Sequence, residues 1–272
     1  MHKEIVIQGV SVQIKWWIDQ RIKKIKEDRH ETLEVNPFMA PLIFALHGHE
    51  SFYDLADFIL GGHFSIGHAT GFGKLIDEKI LPNVFNTQKL DKAMRKGKIF
   101  EQSCFDNIDH IVKKNGKDYL LSLKASKWTI QLGQAVELNN SFKAINSLFL
   151  AKVHSYDEVI VATFYGRAEN LTDKYRIVRG INLGANHDVY DLQDYVTVLS
   201  GSAFWSWLGD HPDTQFWVLE GINLGIKERK EELKFSQRYM ETYKQSFAEK
   251  YSKFINDDET INWHSILENT NG

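Results

Sequence analysis

The pair Asn115-Gly116 lies between two apolar runs, Ile108 to Val112 and Tyr119 to Leu123, and constrains the fold more than any other feature of the chain. Asn-Gly is the favoured pair for a two-residue hairpin turn, because both central positions need a left-handed backbone. With those two residues in the turn, Lys114 faces Lys117, and counting back sets Asp109 opposite Ser122. Strand side chains alternate, so Lys124 shares that face and lies on the diagonal from Asp109, within roughly 7 to 8 Å. A carboxylate and an ammonium then sit side by side on a sheet that otherwise buries Ile108, Val112, Leu121 and Leu123. That is costly unless the two pair with each other or bind something. A structural ion pair meets the demand, and so does a catalytic site. Phosphodiester hydrolysis uses both groups: a carboxylate holds a hard divalent cation, and a lysine orients water and offsets developing charge.

Around the hairpin the chain reads as strands interleaved with helices. Strand-like runs recur at Val159 to Tyr165, Tyr175 to Val178 and Val196 to Leu199, and Ala135, Leu138, Phe142, Ile145 and Phe149 have the spacing of a core-facing helix. The pattern predicts an α/β domain over residues 71–225. Residues 1–70 read as mostly helical, with the apolar residues Ile5, Ile7, Val10, Val12, Ile14, Trp16, Trp17 and Ile18 ahead of a basic run. Gly61, Gly62 and Gly67 through Gly73 punctuate the chain and mark a boundary, and Leu75, Ile76, Ile80 and Leu81 predict a short helix stopped by Pro82. Gly71-Phe72-Gly73-Lys74 lacks the spacing of a phosphate loop and reads as a helix-entry turn. His47-Gly48-His49-Glu50 lacks the ligands of a closed zinc site and reads as a loop.

Residues 226–272 form a helical C-terminal region. From Glu228 to Phe254 the sequence predicts one long polar helix, with Leu233, Met240, Phe247 and Phe254 recurring every seven residues beside Tyr243 and Tyr251. A seven-residue stripe calls for a partner helix. Packing on its own domain and building a dimer both answer to it.

Of the 272 residues 43% are hydrophobic and 25% charged, enough for one sizeable core and too apolar for disorder. No run approaches ~18 uninterrupted apolar residues, and Met1-His2-Lys3-Glu4 lacks the apolar core of an export signal. With a single cysteine, Cys104, this predicts a cytoplasmic protein without a membrane partner. The net charge of −3 argues at first against nucleic acid, but residues 71–130 hold eleven Lys and one Arg against five Asp and two Glu, a net of +5. Those lysines equally suit a solvated surface.

The residues of the hairpin carry a family resemblance. Asp109 on one strand and Ser122-Leu123-Lys124 on the next resemble the active-site hairpin of the PD-(D/E)XK nuclease superfamily, with serine at the usual acidic position. The runs Ala69 to Pro82, Cys104 to His110, Leu120 to Leu132 and Leu171 to His187, and more thinly Phe204 to Leu208, resemble type II restriction endonucleases that read purine-GG-any-CC-pyrimidine. The resemblance implies a restriction-endonuclease-like fold, a central mixed β-sheet flanked by helices with helical terminal regions for dimerisation. It implies Mg²⁺-dependent cleavage of double-stranded DNA by a homodimer. A cognate DNA methyltransferase is the implied functional partner, without a stable complex.

Under that resemblance Asp109 is a metal ligand, the Leu123 carbonyl a second, and Lys124 the lysine that positions water. Ser122 cannot supply the second carboxylate. Glu78, in the helix before the hairpin, and Glu137, early in the next helix, are both open for that place, and Glu78 is preferred because it lies inside the longest matched run. Each also reads as a solvent-facing glutamate. For base reading, Arg or Lys is the usual partner of guanine O6 and N7. Lys174, Arg176 and Arg179 lie on or beside the predicted strand, and the loop after it brings Asn182, Asn186 and His187. These are the candidate DNA contacts, with ion pairs to Asp173 or Asp188 as the plainer account of the arginines. Lys127 is a candidate backbone contact near the cleavage point.

Overall fold

In chain order, α1 (Lys3–Glu27), α2 (Ala40–His47) and α3 (Phe52–Leu75) lead through a π turn (Ile76–Ile80) into α4 (Leu81–Phe85). Next come β1 (Gln88–Lys89), α5 (Lys92–Arg95), and the strands β2 (His110–Lys114) and β3 (Lys117–Lys124). They are followed by α6 (Leu132–Leu150), β4 (Glu158–Thr163), α7 (Lys174–Val178) and β5 (Val196–Ser200). The last elements are α8 (Ser202–Gly209), α9 (Thr214–Glu228), α10 (Lys230–Ser252) and α11 (Trp263–Asn271). The computed structural model describes residues 1–27, 34–124, 130–151, 156–181 and 187–271.

The chain forms two compact units, Met1–Ile14 with Gly73–Gly225 and Lys15–Phe72 with Ile226–Gly272. The expected succession of 1–70, 71–225 and 226–272 is thus regrouped: the N-terminal residues belong with the sheet, and the two terminal helical regions share one core.

In the first unit the described strands form a mixed sheet in sequential order, β1 to β5. β1–β2 and β2–β3 are antiparallel, while β3–β4 and β4–β5 are parallel. The hairpin is as expected. Asn115 and Gly116 both have positive φ, 52° and 75°, and Lys114 pairs with Lys117. The parallel step from β3 to β4 needs a crossover, and α6 supplies it. Ile111, Leu120, Val159, Val161 and Val196 on one sheet face pack with Ala135, Leu138, Phe142 and Ile145 of α6. By alternation Ser122 and Lys124 belong to this α6-covered face, and Asp109 directly precedes β2.

Three local expectations are corrected. Tyr175 to Val178 is α7, not a strand. So short an apolar run suits either form, and the helix lets Tyr175 and Val178, three apart, bury together with Ile177 in the sheet unit's core. Pro82 does not stop the helix before it. The Leu81 N–H reaches back to the Ile76 carbonyl, so the widened turn has already interrupted the α ladder where the proline ring enters. The glycines from Gly61 to Gly73 mark no helix entry, because all lie inside α3, although the division between the two units does fall at Gly73. At Gly67 a Cβ would stand 2.7 Å from an Arg21 guanidinium nitrogen, so that glycine makes room for a side chain of α1.

In the second unit Tyr243, Phe247, Tyr251 and Phe254 share a core with Phe52, Leu55, Ala56, Leu60 and Phe64. Phe247 and Phe254 of the seven-residue stripe therefore pack within their own chain, with Met240 against the same core, and this part of it is not a dimer surface. Trp17 packs on the His68 and Phe72 rings. No helix among the described residues is long and apolar enough to cross a membrane.

Candidate active site

Asp109 stands one residue before β2, held from three sides. Its N–H donates to the Leu121 carbonyl at 2.8 Å, and its carbonyl accepts from the Leu90 N–H at 2.8 Å. Its carboxylate Oδ2 accepts from the Leu123 N–H at 2.6 Å. The carboxylate thus serves the β3 backbone where the Asp109 carbonyl has turned away toward Leu90. The preceding loop is tied by Arg95, whose guanidinium donates to the carbonyls of Leu90, Phe100, Phe105 and Ile108 at 2.6–3.3 Å. A fork of five donors can gather several carbonyls at once, which lysine cannot.

The ladder pairs His110 with Leu121 and ends there; the Asp109 N–H donates to the Leu121 carbonyl, so the expected pairing of Asp109 with Ser122 is not part of the ladder. Burial pushes the Asp109 carboxyl above its ordinary range, against the Leu123 N–H and the Lys124 charge, which act to lower it. Burial likewise pushes Lys124 below its ordinary range, against the charges of Asp109 and Glu137. Each charge stabilises the other, yet for both groups desolvation is the larger effect. A cation at this spot would relieve Asp109.

Glu137, on α6, is exposed and is the second carboxylate whose charge reaches Lys124. Glu78 is exposed on the π turn. Ser122 is fully buried, and its hydroxyl has no hydrogen-bond partner among the described residues. No group of three or more His, Cys, Asp or Glu side chains able to hold a metal occurs among the described residues. Mg²⁺ does not need one: it keeps several waters and binds through one or two carboxylates plus substrate phosphate. Asp109 fits as its anchor, with one carboxylate oxygen outside the Leu123 bond.

Sequence reasoning missed the residues behind Asp109. His110 is fully buried, with Nε2 2.8 Å from Asp77 Oδ1 and Nδ1 2.9 Å from Thr87 Oγ1. Asp77 also pairs with Lys89. Burial alone would raise the Asp77 carboxyl, but its bonds to His110 and Lys89 hold it below the ordinary range. An ionised carboxylate only accepts, so Nε2 carries the proton. This network locks β1 against β2 beside Asp109, whose carboxyl also feels the Asp77 charge. The available signal was His110 itself, a polar side chain inside an apolar run. Glu78 had drawn attention to the neighbouring position, while Asp77 is the residue that turns inward.

The proposed DNA contacts are scattered. Lys174, half-buried, and Arg176, exposed, lie on α7. Arg179 just after it donates to the carbonyls of Val196 at 3.0 Å and Gln193 at 3.3 Å, fastening the start of β5. That is neither of the roles weighed for it. His187 is half-buried. Asn182, Asn186 and Lys127 lie outside the described residues.

The ends of the segment after α7 are closed by Gly180 and Asn139. Gly180 has φ +86°, and a Cβ there would stand 1.9 Å from the Tyr190 carbonyl oxygen. The Asn139 amide, fully buried on α6, donates to the carbonyls of Val178 and Tyr190 at 3.1 and 2.8 Å and accepts from the Tyr190 N–H at 2.7 Å. Its place at core spacing in an apolar stripe was the legible sign.

The chain matches no protein-family model and no curated protein.

Proposed function

We propose that the chain is a type II restriction endonuclease of the PD-(D/E)XK superfamily, with that superfamily's fold. It acts as a homodimer on double-stranded DNA at a short palindromic site with a GGNCC core, alongside a cognate methyltransferase. The observation that carries the reading is the Asp109–Lys124 pair at the mouth of the hairpin, a carboxyl and an amine both displaced toward neutrality by burial. A structural ion pair would gain from full ionisation of both, whereas a site awaiting a cation and a phosphate tolerates the mismatch.

Asp109, with the Leu123 carbonyl beside it, would hold the metal. Mg²⁺, when bound, polarises the phosphate and lowers the pKa of a coordinated water. Lys124, whose pKa burial lowers, orients the attacking water. Glu137 steadies the Lys124 charge from α6 and is preferred to Glu78 as the second acid. Lys174 and Arg176 contact DNA from α7, with Asn182, Asn186, His187 and Lys127 as further contacts.

Incubation of long duplex DNA with the purified protein and Mg²⁺ tests this. Discrete fragments ending at one palindrome are expected. A smear would indicate a non-specific nuclease of the same superfamily. Ser122 at the acidic position favours a second reading, a DNA-binding protein without catalysis. Retention of GGNCC duplexes with no cleavage would establish that reading and overturn the first.

A further inference from the structure

We infer that the outer face of α2 and α3 is the contact surface for a second copy of this chain. α2, APLIFALH, has no Asp, Glu, Lys or Arg and is apolar nearly all round. Its inner side buries Ala40 and Ile43 in the second unit's core. Its outer side leaves Leu42 61% and Leu46 80% exposed, with Phe38 at 70% and Met39 at 54% just ahead of the helix. Such a helix is stable where both sides are covered.

The face continues onto α3. Phe58 lies against the His47 ring at 4.8 Å, so it borders the outer side of α2. Ile66, eight residues on and 73% exposed, falls on the same side of α3 two turns later. Between them are Gly61 and Gly62, where an added Cβ would meet nothing within 4 Å. Glycine is disfavoured relative to alanine in a helix interior. Gly67 and Gly71 are explained by Arg21 and Trp17 packing over them, but Gly61 and Gly62 have no such reason among the described residues. Flat backbone between Phe58 and Ile66 lets another helix approach closely.

The area and the charge select the occupant. Six large side chains each exposing on the order of 100 Å² leave roughly 600 Å², at the upper end of what monomers show. A stable two-fold contact buries about 800 Å² per partner, so the patch supplies most of it and its polar margin the rest. In an isologous contact every group near the axis meets its own copy, so a charge-free centre is what self-association requires. α2 itself carries no cation to hold nucleic acid, and Arg21 and Lys24 come in only at the far end, in the hollow beside Ile66.

This deepens the homodimer reading above and rests on it for the two-fold symmetry. Sedimentation equilibrium of the full chain, without DNA, tests it. The expected mass is twice that of one chain. Leu42→Glu with Leu46→Glu should halve it with an unchanged far-UV circular dichroism spectrum. Leu219→Glu, at a 52% exposed apolar position on α9, should leave it doubled. Should the double variant not fold, Gly62→Gln decides: its side chain has room in the single chain and improves helix propensity, so it should fold and also halve the mass. A wild-type chain of single mass at high micromolar concentration overturns the inference, as does a doubled mass that survives a folded α2 variant or Gly62→Gln. A monomer that cleaves DNA sinks the interface alone; a dimer that never cleaves sinks the nuclease reading alone.

Discussion

The Asp109 carboxylate accepts a 2.6 Å hydrogen bond from the Leu123 N–H, one residue before the lysine whose charge it feels. Asp109→Asn keeps an oxygen acceptor for that bond and removes the buried charge. Because burial raises the Asp109 carboxyl, the folded chain holds this proton more tightly than the unfolded chain does. Stability therefore falls as pH rises from the ordinary carboxylate range through the raised folded value, and stays lower above it. Without divalent metal, Asp109→Asn is expected to melt a few degrees higher at neutral pH, the gain vanishing below about pH 4. Thermal melts across pH check this; equal or lower Tm at neutral pH contradicts it.

Added Mg²⁺ should reverse that order. A ligand that binds only the folded state at a hundred times its Kd stabilises by about 2.7 kcal/mol. The parent protein should gain Tm with Mg²⁺ and Asp109→Asn should not. Equal gains in both would show that the metal binds elsewhere.

Lys124→Ala should lower cleavage by about 10²- to 10⁴-fold while leaving a folded protein that still binds DNA. Lys124→Arg should not rescue it, since a guanidinium stays charged and is shaped differently. Loss of folding in both variants and in Asp109→Asn would identify a structural ion pair.

Asp77→Ala removes the acceptor of the buried His110 Nε2–H and should cost about 1–3 kcal/mol in urea unfolding. Its carboxyl is held low by bonds to His110 and Lys89. That contribution is present above the ordinary carboxylate range and is lost as pH falls through the folded value. The difference between parent and Asp77→Ala should therefore shrink in acid.

Two glycines should respond oppositely to alanine. Gly180→Ala strains a positive φ and drives a Cβ into the Tyr190 carbonyl, so a loss of more than about 3 kcal/mol is expected. Gly133, near the start of α6, has open space at its Cβ position and should gain about 0.5–1 kcal/mol. Chemical denaturation of both measures the contrast.

Legibility followed the range of the interactions involved. The hairpin and the shared face of Ser122 and Lys124 could be read because turn chemistry sets register and alternation sets the face, both within a few residues. Tyr175 to Val178 could not, because an apolar run that short fits either period. Asp77 stayed hidden because its partners, His110 and Lys89, come from other elements.

By itself the sequence determined an Asn-Gly hairpin, its register, and an acid and a lysine near its open end. Only the tertiary structure decided that burial shifts both groups toward neutrality, that α6 brings the Glu137 charge to Lys124, and that Met240, Phe247 and Phe254 of the stripe pack within their own chain. Local backbone geometry repeats with a fixed period and can be counted along a chain. Desolvation and the choice of packing partner depend on which distant segments arrive, and no spacing records that.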